Sequence, residues 1–321
     1  MKAETLKAQS GLLGVSDELA KKIRQSAQIS WQNLGKKITF YLPGMFNLYG
    51  LTGKYPAISV TGHHCDLNCK HCKGKLLRSM VPCASPKKLL ELASKWREEG
   101  IEGVLLSGGS TLDGYVPLQR VLPAVPILKE MGFYVSAHSG FATPELAKML
   151  KQYGVDQVLV DVVGDDWAVR NILNLPGIKV VHRALEALYS EGLNVAPHII
   201  IGMSGKIAGE YKALKMLAKY PVSILIFVVL MPAVAMSNIV LPVPLEDALS
   251  VIIEGRQMFP DIPHSLGCAR PRGIYRRTLE KWALRAGINR IALFSEEAVE
   301  EAESLGLEIK YELTCCSVMK K

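Results

Sequence analysis

The chain has 321 residues, 49% apolar and 21% charged, a balance that can bury a substantial core and excludes a disordered or low-complexity polymer. The formal charge of +8 is compatible with an acidic partner or substrate, although a mildly basic surface accounts for it equally well. Seven cysteines without a hydrophobic signal core in MKAETLKAQSGLLG fit a reducing cytoplasm, where thiols bind metal, and exclude a secreted disulfide scaffold.

Residues 1 to about 36 read as helical, with Ser16 as N-cap before Asp17, Glu18 and Leu19. ITFYLPG gives a short extended segment, and the Gly- and Pro-spotted FNLYGLTGKYP leads into the first main strand. That strand opens the stretch AISVTGHHCDLNCKHCKGK at 57–75, which releases Cys65, Cys69 and Cys72 in a C-x3-C-x2-C spacing. A strand that ends in a thiolate-rich loop presents a site at the edge of a sheet. Three close thiolates suit a metal or an iron–sulfur cluster, because a triplet cannot pair into disulfides without a leftover. A structural zinc site and an ordinary [4Fe–4S] cluster each need four ligands. Either His63, His64 or His71 supplies the fourth, as in a zinc site, or one iron is left open for a substrate.

Further along, Ser85 can cap a helix with Pro86 in its first position; Leu89, Leu92, Ala93 and Trp96 share a face and Gly100 closes it. GVLLSGGS is a buried strand, followed by a helix over 116–131. YVSAHSG is the next strand, and Thr143-Pro144 starts a helix ending near Gly154. QVLVDVVG, a helix over 178–191, NVAPHIIIGM, a helix over 207–219 and SILIFVVL continue the alternation. A helix over 246–259, then HSLGCARP, LEKWALRAG and RIALFS complete it. Eight strand–helix units imply parallel strands and an α/β fold, a (β/α)8 TIM-like barrel, with an N-terminal helical extension and a C-terminal tail closing over the barrel mouth. The corresponding divisions are 1–40, 41–300 and 301–321. From Pro221 to Leu245 no residue is charged, but Pro221, Pro232, Pro242 and Pro244 interrupt the run, which reads as a buried strand and a loop rather than a membrane span.

Barrels keep their chemistry at the C-terminal ends of strands. Gly108-Gly109-Ser110 ends the second strand, and the glycines permit a ligand to approach the backbone; a side chain there is expected to weaken that ligand's binding. His138 ends the third strand, Asp161 lies in the fourth where it can meet a ribose hydroxyl, and His198, Ile200 and Gly202 lie in the fifth. Cys268 ends the seventh strand, and Cys315-Cys316 sit near the C-terminus. A tail folded back over the mouth brings the three together as ligands of a second iron–sulfur cluster, while Cys83 reads as a small buried hydrophobe.

CDLNCKHC resembles the cysteine loop of the radical S-adenosylmethionine (SAM) enzymes. The resemblance implies that Cys65, Cys69 and Cys72 hold a [4Fe–4S] cluster whose fourth iron is chelated by SAM, and that one electron cleaves the cofactor to a 5′-deoxyadenosyl radical. It places His71 beside the adenine. Gly108, Gly109 and Ser110 fall at the family's methionyl-amine motif; Ser110 replaces the usual acid, so backbone carbonyls carry that contact. IIIGMSGKIAGE is similar to the segment that meets adenine, through Ile200 and Gly202, and His138 and Asp161 join them on the cofactor side. PGMF…GKYPAISVTGHHCDLNCKHCKGKLL and LGCARPRG further resemble the biotin-synthase-like group, and within it the paired, archaeal-type lipoyl synthases, from about Tyr41 to Lys321. What this implies is sulfur insertion into an octanoylated lipoyl-domain carrier protein or peptide, with an auxiliary [4Fe–4S] cluster as donor. A related radical SAM partner protein and an electron donor such as ferredoxin or flavodoxin are implied as well, with no role for nucleic acid or membrane. Two alternatives stand beside it: a radical rearrangement, fragmentation or methylation enzyme without sulfur insertion, and a zinc-stabilised basic binding module.

Overall fold

The structure, a computed structural model, describes residues 15–231 and 243–319. The chain enters through a helix at Asp17–Leu34, which buries Leu19, Ile23 and Ala27, and Gly35 at φ +80° ends it. Strand β1 (Lys37–Tyr41) follows, then a small hairpin of β2 (Asn47–Leu48) and β3 (Leu51–Thr52). The succeeding strands are β4 (Ala57–Ser59), β5 (Val81–Pro82), β6 (Gly103–Ser107), β7 (Tyr134–His138) and β8 (Gln157–Val162). Then come β9 (Val195–Ile201), β10 (Leu225–Val229), β11 (His264–Leu266), β12 (Arg290–Ala292) and β13 (Glu308–Glu312).

Eleven of these strands form one curled sheet in the order β13-β1-β12-β11-β10-β9-β8-β7-β6-β4-β5, and the pairings within it are parallel. The eight strands expected from the sequence run through it in chain order, so the α/β, TIM-like fold is what the chain forms. Their interiors are nearly continuous apolar runs because helices cover one face and the curl encloses the other. β1 stands beside β12 and carries β13 on its other side, so the sheet remains open between β13 and β5.

Several local expectations change. The helix expected over 116–131 is two 3-10 turns and a short helix at Val125–Glu130, because Pro117, Pro123 and Pro126 each remove a backbone donor. Ser16 makes no side-chain cap; its amide instead donates to Glu246 Oε1 at 2.5 Å. A helix at Glu296–Ser304 and β13 precede the C-terminal segment. Pro232 and Pro242 lie outside the described residues.

After β13 the chain turns into the curl of the sheet. Lys54 N donates to Leu313 O at 2.7 Å, and Arg290 Nη1 donates to Cys316 O at 3.1 Å and Val318 O at 2.8 Å. Met319 packs on an inner apolar cluster of Leu159, Ala196, Ile224 and Ile226. Beneath it Tyr55 crosses the interior to Ser136 Oγ, 2.8 Å away, over Gly103, where a Cβ would lie 2.3 Å from the tyrosine ring. The tail and Tyr55 thus fill the lower part of the barrel, so the tail enters the barrel rather than closing over its mouth as expected, and the space at the strands' C-terminal ends stays open.

Candidate functional site

That space is a cavity of about 330 Å³. Cys65, Cys69, His71 and Cys72 line it from the loop after β4, and Gly108, Gly109 and Ser110 from the turn after β6. His138, Asp161, His198 and Ile200 face it from β7, β8 and β9, and Cys268, Cys315 and Cys316 from the opposite wall. All the site residues expected from the sequence except Gly202 therefore line one cavity. Gly202, at φ +99°, does not line the cavity: its amide donates to buried Glu210 Oε1 at 2.6 Å, and a Cβ there would lie 2.2 Å from Val243. A separate cavity of about 410 Å³ on the outer side, between Phe40, Tyr49, Phe294 and Tyr311, contains none of these residues.

The cysteine loop is held on two sides. Asp66 N and Leu67 N donate to Ser110 O at 3.0 and 3.2 Å, while Thr61 Oγ1 accepts from Gly109 N at 2.7 Å and donates to His64 O at 2.8 Å. Both lone pairs of the Ser110 carbonyl are thereby engaged by the loop, so this carbonyl is not free for the cofactor amine it was expected to meet. On the other side Lys70 N donates to Ile172 O at 2.8 Å, and Asn174 Nδ2 donates to Leu67 O and Asn68 O at 3.0 and 3.2 Å. Asn174, in the left-handed region at φ 59°, was not singled out from the sequence; the only cue is an Asn-Leu-Pro-Gly turn, whose asparagine tolerates that conformation.

Gly109 also acts differently from expectation. A Cβ there would stand 2.0 Å from His64 O and 2.7 Å from Cys65 Cα, so the close approach is to the cysteine loop and not to the open cavity. Gly109→Ala is therefore expected to displace Cys65 and to prevent cluster incorporation, read as loss of the cluster's visible absorbance after reconstitution. A variant with full cluster content but weak SAM binding would restore the simpler expectation.

Electrostatics divide the cavity in three. Burial pushes the Cys69 thiol well up, with the Cys72 and Cys65 thiols adding to the effect, and burial raises Cys72 too. Burial thus favours the neutral thiols of these two groups, and a bound cationic metal centre would favour their thiolates. In the middle, His138 Nε2 stands 3.5 Å from Asp161 Oδ1, and the His138 and His198 rings are 6.1 Å apart. Burial works to raise Asp161, but His138, then His198 and His71, hold it down at about 2. Burial takes His198 down to about 4 and lowers His71, whose Nδ1 is buried with no partner in the protein. At the far wall Ser317 Oγ donates to Cys315 Sγ at 3.2 Å, and a hydrogen bond from Cys316 helps hold Cys315 below the ordinary thiol range. Burial raises Cys268, the neighbouring Cys315 adding to it.

Behind Cys268, Arg270 and Glu280 form a fully buried ion pair. Arg270 also donates to Gly267 O and Ala292 O, and Glu280 Oε2 accepts from Ser295 N at 2.9 Å. This pair ties the loop carrying Cys268 to β12 and to the helix at Glu296–Ser304. Arg270→Met, which leaves the buried Glu280 carboxylate with only Arg276 at 3.6 Å as a cation, is expected to destabilise the fold by about 3 kcal/mol, measured as a fall in the unfolding midpoint. An unchanged midpoint would remove the pair from the structural account.

The donors fit iron–sulfur chemistry. Two sets of three thiols face one cavity, and the buried His71 Nδ1 has no protein partner. Among the described residues, no three His, Cys, Asp or Glu side chains gather closely enough to hold a single metal ion.

A family model described as Radical SAM superfamily matches residues 59–217. No curated protein sequence matches the chain. Among solved structures, methylornithine synthase (PylB) aligns with TM-score 0.61 at 15% identity, over 94% of this chain and 92% of that one. HydG, a maturase of the [FeFe]-hydrogenase, aligns with TM-score 0.65 at 14% identity, over 93% and 70%. HydG from Carboxydothermus hydrogenoformans gives 0.62 at 16%, over 93% and 74%. At these identities the likenesses speak for the shared fold alone. No helix among the described residues is long and apolar enough to cross a membrane.

Proposed function

We propose, from the match of residues 59–217 to the radical SAM superfamily model, that the chain is a radical sulfurtransferase of the lipoyl synthase type, acting on an octanoyl-lysyl carrier protein. The family match displaces the zinc-stabilised binding module. The observation that carries the finer reading is that Cys268, Cys315 and Cys316 open onto the same cavity as Cys65, Cys69 and Cys72. When bound, the first [4Fe–4S] cluster with SAM supplies a hydrogen-abstracting carbon radical, and the auxiliary cluster supplies sulfur.

The chain's residues divide the work. Cys65, Cys69 and Cys72 hold one cluster and leave one iron for the cofactor; Cys268, Cys315 and Cys316 hold the other. Gly108 keeps the wall close, since a Cβ there would meet Val60 and Thr61 at 3.1 and 3.2 Å. His71 and Ile200 offer a buried surface for adenine, and Asp161, ionised and steadied by His138, accepts the ribose hydroxyls. Leu105, Phe141, Leu159, Val228 and Leu230 give the cavity apolar walls that suit an alkyl chain and exclude water from a reactive radical.

The test is anaerobic reconstitution followed by iron, sulfide and product analysis. About eight irons per chain, with thiolation of an octanoyl-lysine peptide in the presence or absence of a related radical partner, is the expected result. About four irons, with 5′-deoxyadenosine but no thiolated product, would move the protein to the rearrangement, fragmentation or methylation reading.

A further inference from the structure

Two basic segments flank the entrance to the cavity, each directly downstream of one cysteine set. Lys73, Lys75 and Arg78 follow Cys72, with Lys73 and Arg78 exposed; Arg272, Arg276 and Arg277 follow Cys268, with Arg272 exposed. The first segment reaches the cavity through Gly74, Leu76, Leu77 and Met80, and the second through Cys268 and Ala269. Each also turns an aliphatic side chain outward, Leu76 at 41% exposure and Ile274 at 58%.

The charges are not spent within the protein. Arg276 and Arg277 lie against Glu280 and Glu297, but among the described residues Lys73, Lys75, Arg78 and Arg272 make no ion pair. Exposed cations without partners contribute little to a fold, yet on either side of a cleft they raise the local concentration of an anionic partner. The cleft between them is apolar, so the partner must bring an apolar group as well as negative charge.

We propose that these two segments are the docking surface for an acidic carrier domain, which they grip on both sides of the mouth so that its acyl arm enters between the cysteine sets. The acyl arm rests on the reading given above; the acidic surface rests on the rim charges. Leu76 and Ile274 supply the apolar part of the contact and Lys75, Arg78 and Arg272 its electrostatic part, which fixes approach and orientation.

The experiment uses the anaerobically reconstituted full-length protein and, as probe, an octanoylated lipoyl domain of net negative charge. Affinity is measured at low and high salt for the unaltered protein and for Arg78→Glu/Arg272→Glu. The expected result is binding that weakens with salt in the unaltered protein and about tenfold weaker binding in the reversal. With dithionite as reductant, so that no protein electron donor is involved, SAM cleavage and turnover of a free octanoyl-lysine peptide stay unchanged. If the reversal disturbs folding, Arg78→Gln/Arg272→Gln gives the same reading at smaller amplitude. Equal affinity in unaltered and substituted proteins, or no binding of the domain at all, overturns the docking surface. A domain that binds through the rim but gains no sulfur leaves the surface standing and removes the sulfur-insertion reading.

Discussion

Replacing any one of Cys65, Cys69 or Cys72 with alanine is expected to abolish 5′-deoxyadenosine formation, with all three variants falling to assay background. The three act as one unit because a lost thiolate leaves an iron uncoordinated, and the loop is held too firmly for a neighbouring histidine to take its place. Cys69 is 6% exposed with its Sγ 3.5 Å from Leu173 O, so water reaches it poorly. Asn174 and Ser110 fix the loop from both sides, which keeps it from sliding a neighbouring side chain into the gap. Iron content after reconstitution is expected to drop by roughly four per chain in each variant. Normal 5′-deoxyadenosine formation in any one of them would end the assignment of this loop.

Cys315→Ala is expected to separate the two chemistries. Its thiol belongs to the far wall with Cys268 and Cys316, whereas the Cys65 loop hangs from the turn after β6 and from Asn174, neither of which the tail touches through a hydrogen bond described above. The variant should therefore lose roughly four irons, one cubane's worth, and yield no thiolated product. It should still cleave SAM at close to the rate of the unaltered protein. Full product formation would show that the tail cysteines are not sulfur-donor ligands. Loss of SAM cleavage as well would show that the two walls are not independent.

Much of the architecture was legible because parallel strands buried on both faces write themselves as short apolar runs. GVLLS, QVLVDV and LIFVV have nothing else to be once the intervening glycines and helix caps are read. β13 was not legible: EIKYE is largely exposed at the sheet edge, and its charges conceal its alternation. The proline-broken segment after β6 imitated a helix because its apolar period survived while its donors did not. At the site, the cysteine loop stood out as a candidate from spacing alone, since Cys65, Cys69 and Cys72 are neighbours in the sequence. The meeting of Cys268 with Cys315 and Cys316 was expected from a tail folding back, but the inward turn at Leu313 that produces it is a tertiary event that spacing cannot encode. Gly202 misled for a related reason. A glycine after a strand signals a tight backbone, but only the fold shows whether ligand or protein fills the space, and here Glu210 and Val243 do.

The position of the tail also orders the protein's maturation. β1 pairs with β12 and β13, far downstream in the chain, so the sheet cannot be completed until β13 has been made. Cys315 and Cys316 emerge later still, and Met319 fills the inner cluster only after them. The Cys65 loop can thus form while the barrel is unfilled from below, whereas the far wall acquires its second and third thiols as the tail goes in. A chain stalled before residue 313 has an open floor and lacks two of the six cysteines that line the cavity.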